Sequence, residues 1–204
     1  MAALYVVFSR TKCKMGSFIR TMTHGFYNHV SVALDPRLDE VYSFSRFKHK
    51  TPFCAGFVRE GAERYRIENH IAEIAVCAVE VDAAHMEAVK TRLADMMAGR
   101  DRYVYNMLSA ACVPLRHTVR IRDSYTCIEF ALSILRTACY PLGDRYYSIT
   151  DLYDELSPCC VYRGEYPETA AVTDITYNDN VPVRSRFTRS ARQIWRMTYR
   201  FVRH

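Results

Sequence analysis

Thr126-Cys127-Ile128-Glu129 opens the apolar run Ile128 to Leu135 and joins a helix start to a nucleophile. Thr126 can cap the first turn while Glu129, three residues on, returns a hydrogen bond to the cap residue's amide, the reciprocal pair called a capping box. Cys127 is then the first helical residue. There, unpaired amide donors and the positive end of the helix dipole favour a thiolate over a thiol, and the same amides can hold an oxyanion. The chemistry such a cysteine could do is acyl transfer through sulfur. The chain has eight cysteines, and an ordinary buried thiol is the usual fate of one, so this reading needs a base.

His29 is the candidate. In Tyr27-Asn28-His29-Val30-Ser31-Val32-Ala33-Leu34-Asp35 polar and apolar residues alternate before an Asp-Pro turn, and a second alternating run follows from Glu40 to Arg46. The pattern predicts a two-stranded antiparallel unit with His29 near the start of its first strand. Side chains alternate along a strand, so His29 and Ser31 share a polar face opposite Val30, Val32 and Leu34. A histidine on a strand, a polar strand after it and a cysteine opening a helix further on supply the parts of a thiol acyl-transfer site. The base takes the thiol proton, the thiolate attacks a carbonyl, and a third polar group orients the imidazole.

The elements that must position these groups can be read along the chain. Tyr5 to Ser9 is the end of an N-terminal strand, and Arg10 to Gly25 carries a short helix and a loop. Phe47 to Gly61 is rich in turn formers and aromatic residues, whereas Glu73 to Val81 is a mostly buried strand. Asp82 caps a helix from Ala84 to about Met97, stopped by Gly99. A second helical pattern covers Tyr103 to Ala111, the Cys127 helix runs to about Cys139 before Pro141, and Thr150 caps a short helix to Leu156. Cys160 to Tyr162 returns as a strand. The sum is an α+β domain followed by a tail.

Composition limits the setting. The chain of 204 residues is half apolar, which suits one globular domain with an ordinary core. Met1 to Ser9 lacks a basic leader and a small-residue cleavage site, and no apolar run is long enough to span a bilayer. With irregularly spaced cysteines, this points to reduced thiols and a cytoplasmic location. Cys159-Cys160 are adjacent, poor geometry for one tetrahedral ion, and the histidines lack zinc-site spacing, so neither a metal nor a cofactor is expected.

At this point the sequence resembles a known family. Tyr27 to Asp35, Tyr42-Ser43-Phe44-Ser45-Arg46, Gly56-Phe57-Val58-Arg59-Glu60, Tyr125-Thr126-Cys127-Ile128-Glu129-Phe130 and Tyr162-Arg163-Gly164-Glu165-Tyr166 are similar to the motifs of the circularly permuted papain-like NlpC-type cysteine hydrolases, the YiiX/YaeF-like group. Papain-like enzymes put the cysteine before the histidine, and the reverse order here is what a permuted chain requires. The resemblance implies a permuted papain-like fold over residues 1–168, a small antiparallel sheet packed against a nucleophile-bearing helix. It makes Cys127 the nucleophile and His29 the general base. Such enzymes place a polar residue on the strand after the histidine strand, which offers Ser43 and Ser45 on one face and Glu40 on the other. Ser43 is preferred, because pairing His29 with Ser45 puts Ser43 two residues away on the same face; a one-residue slip would favour Glu40. Asn28 and Tyr125 flank the pair and are candidate substrate-binding residues. The implied activity is a thiol hydrolase or acyltransferase, foremost a peptide-type amidase. The alternatives are a lipid acyl hydrolase or transferase at a membrane surface, and a non-catalytic docking module that keeps the fold.

Residues 169–204 form a basic extension. The formal charge of the whole chain is +6. From Ala171 to His204 seven arginines stand against Asp174 and Asp179, a balance of +5 that leaves +1 for the rest. Phe187, Ile194, Trp195, Phe201 and Val202 recur at helical spacing against Arg189, Arg192, Arg196, Arg200 and Arg203, the pattern of a cationic amphipathic helix. One reading docks its apolar face on the domain with the arginines in water. Another places residues 184–204 at an anionic membrane surface, peripheral to it. Segregation of aromatic from basic residues argues against nucleic acid.

Overall fold

Alternation of apolar residues on both faces of a run buries a strand twice, and β1 (Ala2–Arg10) shows this: Leu4, Val6 and Phe8 point one way, Val7 and Ser9 the other, and all are buried. The computed structural model describes residues 2–11, 25–47, 55–67, 70–167, 191, 195–196 and 198–201. Around β1 run β2 (His29–Ala33), β3 (Val41–Arg46), β4 (Ala55–Glu60), the short pair β5 (Arg66–Ile67) and β6 (His70–Ile71), and β7 (Glu73–Val81). Next come α1 (Ala83–Ala98), β8 (Val104–Tyr105), α2 (Met107–Ala111), β9 (Ser124–Tyr125), α3 (Cys127–Thr137), α4 (Ile149–Leu156) and β10 (Cys160–Glu165). The main sheet has six strands in the order β10-β7-β1-β2-β3-β4, every neighbour antiparallel.

The two faces of this sheet carry different cores. Leu4, Val6, Phe8, Val30, Val32, Phe44 and Phe57 pack against the apolar sides of α1, α3 and α4. Val7, Ala33, Val41, Ile74 and Val76 face the other way, closed by Tyr65 and Tyr166, whose rings stack 3.9 Å apart. The architecture is therefore α+β, with the helices gathered on one face. Among the described residues no helix is long and apolar enough to cross a membrane.

Several expected elements differ in their bounds. The helix read over Tyr103 to Ala111 starts only at Met107: Val104 and Tyr105 pair in parallel with Ser124 and Tyr125, and Asn106 caps what remains by accepting from the Ser109 amide. Long-range pairing outweighs the local helical pattern there. Ser148, not Thr150, caps α4 through a capping box with Asp151. Phe47 to Gly61, read as turns, contains β4. A Cβ on Gly56 would lie 2.9 Å from the Phe47 ring and 3.1 Å from the Tyr103 carbonyl, so the glycine lets β4 and β8 approach. The helix and loop expected between Arg10 and Gly25 fall on residues 12–24, outside the described residues. The tail is described only at Ala191, Trp195, Arg196 and 198–201, all helical.

Candidate active site

The capping box forms as its spacing requires. Thr126 Oγ1 accepts from the Glu129 amide at 3.2 Å, and a Glu129 carboxylate oxygen accepts from the Thr126 amide at 2.6 Å. Cys127 is the first residue of α3, 7 % exposed, at the edge of a cleft. The Phe130 amide bonds the Thr126 carbonyl, so the first-turn donors without an intrahelical partner are those of Cys127 and Ile128. The Asn106 amide group donates to Ser109 Oγ at 3.0 Å and to the Val119 carbonyl at 2.8 Å, and reaches toward the Glu129 carboxylate at 3.4 Å. Burial raises the Glu129 acid above the usual range, against hydrogen bonds from Ser109, Thr126 and Asn106 that lower it.

His29 and Cys127 meet. Both side chains line the same cleft, and Cys127 lies near enough to the imidazole to help hold its proton. Its Nε2 donates to Glu60 Oε1 at 2.7 Å, which leaves Nδ1 as the nitrogen for the sulfur. The partner of the imidazole is thus Glu60, not Ser43. Ser43 Oγ donates to the same Oε1 of Glu60 and so sits one step behind the ring. Ser45 and Glu40 do not reach it either: Ser45 lines the cleft, and Glu40 forms an ion pair with Arg59 at 3.4 Å. The β2–β3 register pairs Val32 with Tyr42 and Ala33 with Val41. The decisive carboxylate comes from one strand further, β4, at the end of the face shared by Val58 and Glu60.

Glu60 is a hub with no solvent-exposed side-chain area. Besides His29, its carboxylate accepts from Ser31 Oγ at 2.8 Å, from Ser43 and from the Tyr65 hydroxyl, and pairs with Arg64 Nε at 3.1 Å. A buried charge is tolerable only when it is so fully partnered. Burial alone would raise its pKa, but Arg64, His29 and the hydrogen bonds from His29 and Ser43 outweigh it and hold the carboxyl well below the usual carboxylate range. Burial by itself pushes His29 down, yet the Glu60 charge, the nearby Cys127 and the bond to Glu60 win and raise it to about 9. At neutral pH the pair is Glu60 carboxylate and His29 imidazolium.

No family model, curated protein or solved structure matches this chain.

The remaining expected residues divide. Asn28 lines the cleft, but its side chain serves the backbone: its Oδ1 accepts from the Thr11 amide at 3.2 Å and its Nδ2 donates to the Thr11 carbonyl at 2.9 Å. Tyr125 also lines the cleft, and its ring packs 5.2 Å from Phe44 and 6.5 Å from Tyr103. Two residues missed in the sequence belong to the site. Arg64 lines the cleft and carries the counter-charge of Glu60. Tyr105 lies close enough to Cys127 and Glu129 that burial first, and their charges second, push its phenol above the ordinary range, so it stays a neutral donor. Among the described residues no group of three or more His, Cys, Asp or Glu has a metal-holding arrangement.

The cleft itself is large, about 1100 Å³. Much of its wall is apolar, from Phe44, Ile121, Ile128, Leu132 and Ile149, and arginines including Arg120 and Arg136 also line it.

Proposed function

We propose that the protein is a thiol hydrolase or acyltransferase that works through a thioester on Cys127, in a permuted papain-like fold. The observation that carries this is the His29 imidazole, which shares one cleft with the Cys127 thiol and is bonded to a buried, fully partnered Glu60. In this reading the proton that His29 Nδ1 carries at neutral pH is the one the Cys127 thiol has given up, so the reactive pair is thiolate and imidazolium, and Glu60 stabilises the imidazolium. The thiolate attacks the substrate carbonyl. The Cys127 and Ile128 amides and the neutral Tyr105 phenol offer donors to the oxyanion. The imidazolium then protonates the leaving group, and water or another acceptor, deprotonated by His29, releases the acyl group.

The resemblance points to a peptide-type amide as substrate, and the cleft favours the second reading, an acyl lipid. Small-molecule sites usually span roughly 300–1,000 Å³, so this one accommodates a long apolar acyl group, with arginines for an anionic head. Two measurements test the reading. At near-neutral pH iodoacetamide should alkylate Cys127 ahead of the other cysteines, and His29→Ala should slow that alkylation by about 10²–10⁴-fold; equal labelling of several cysteines would sink the nucleophile assignment. Across acyl thioesters of rising chain length, kcat/KM should climb. A flat series with turnover of a dipeptide amide would return the substrate to the peptide class.

A further inference from the structure

A cationic amphipathic helix docked on its own domain hides its aromatic rings and leaves its charges in water. The described C-terminal residues expose their rings and rest on the domain through two arginines at its surface. Arg196 donates to the Asp101 carbonyl at 2.5 Å, and Arg200 donates to the carbonyls of Arg102 at 2.9 Å, Arg122 at 3.2 Å and Asp123 at 3.4 Å. Trp195, Tyr199 and Phe201 stay outside, 64 %, 43 % and 51 % exposed, with the Trp195 and Tyr199 rings stacked 5.3 Å apart. Of the readings open for this segment, these residues do not fit the one that lays its apolar face on the domain. Backbone carbonyls satisfy the guanidinium donors without cancelling their charge. Around Arg200, Arg122 and Arg196 add positive charge against the one carboxylate of Asp123.

We infer that this aromatic and cationic surface docks on an anionic lipid bilayer. Tryptophan and tyrosine rings suit the headgroup level, where one end is apolar and the other wet, and arginines beside them meet the negative surface charge. The seat of the segment matters as much as its exposed rings. Arg122 and Asp123, whose carbonyls hold Arg200, are also wall residues of the Cys127 cleft. Docking here therefore sets the cleft close to the membrane. A second copy of the chain is a poor occupant, because the segment from Ala171 onward carries a balance of +5 and would repel its like. Single-stranded nucleic acid would want rings free to receive bases between cations, whereas Trp195 and Tyr199 stack on each other. The docking stands without the acyl-transfer reading; only its role in substrate supply rests on that reading.

Trp195 is the chain's one tryptophan, so its fluorescence reports the surface directly. Vesicles of phosphatidylcholine with phosphatidylserine should shift the emission of the full chain to the blue and pellet it, and salt should weaken both effects; pure phosphatidylcholine should do little. Trp195→Ala with Phe201→Ala should cut sedimentation at least about tenfold while leaving Cys127 alkylation in solution unchanged, since neither side chain touches the catalytic groups. Absence of wild-type binding to the anionic vesicles would overturn the inference. Undiminished binding by the double variant would overturn it too, as would a dimer or an oligonucleotide complex that the substitutions abolish in place of vesicle binding. Vesicle binding together with unselective cysteine labelling would keep the docking and remove only the thiol chemistry.

Discussion

The two halves of the candidate site are built in opposite ways. At the start of α3 Cys127 is held by its neighbours in sequence, through two hydrogen bonds between Thr126 and Glu129, three residues apart. At the sheet His29 is held by groups distant in the chain: Glu60 lies 31 residues from His29, 29 from Ser31 and 17 from Ser43. The helical half is thus local and inexpensive to form, while the sheet half exists only when β2, β3 and β4 are in register. A side chain placed by a local motif tolerates damage elsewhere, whereas a buried hub transmits damage to every strand it touches.

Substitutions can break or sharpen that contrast. The largest effect should follow Glu60→Ala, which strands Arg64, His29, Ser31, Ser43 and Tyr65 around an empty site; removing one partner of a buried ion pair costs about 3–5 kcal/mol, measurable as a fall in the urea midpoint. If the variant is instead as stable as the parent, the carboxylate is not the hub described.

pH should separate the halves next. His29 is raised from 6.5 to about 9, so the folded state holds its proton more tightly than the unfolded chain. Its contribution to stability is complete below 6.5 and disappears as pH rises through about 9. Glu60 is lowered from 4.5, so its contribution is complete above that value and disappears on acidification below it. Urea midpoints of the parent and His29→Asn should accordingly differ most near pH 6 and converge above about pH 9. A gap that widens with alkali would reverse the assignment.

The smallest effect belongs to the local half. Thr126→Ala removes the cap and should cost about 1 kcal/mol without altering the His29 titration seen by NMR. A shifted imidazole titration in that variant would mean that the helix start and the sheet are coupled after all.

This contrast also explains what could be read from the sequence. The Cys127 helix start was legible because its signal fits within four residues, and β7 because Ile74 to Val79 is one uninterrupted apolar run. The His29 hairpin was legible from its alternation. Glu60 lies within the resemblance motifs, yet nothing local marks it, because its strand hides among turn formers and aromatics and its role depends on which strand lies next to β3 in the sheet. Alternation of Val58 and Glu60, with Arg64 four residues on, was the available signal. The helix read at Tyr103 failed for the same reason, since the pairing of Val104 and Tyr105 with Ser124 and Tyr125 spans 20 residues. The orientation of the tail depended on carbonyls at 101, 102, 122 and 123, which no helical wheel displays.

The parallel β8–β9 bridge has one more consequence. It pins the chain at Tyr105 and again at Tyr125, with the Val104 amide bonded to the Asp123 carbonyl and the Asn106 amide to the Tyr125 carbonyl. Everything between those two rivets is an excursion that furnishes one bank of the cleft, while the sulfur begins just beyond the second. Lengthening, trimming or grafting that excursion would retune what the groove accepts and leave the reactive atoms where they stand, as an exchangeable jaw leaves the hinge of a tool untouched.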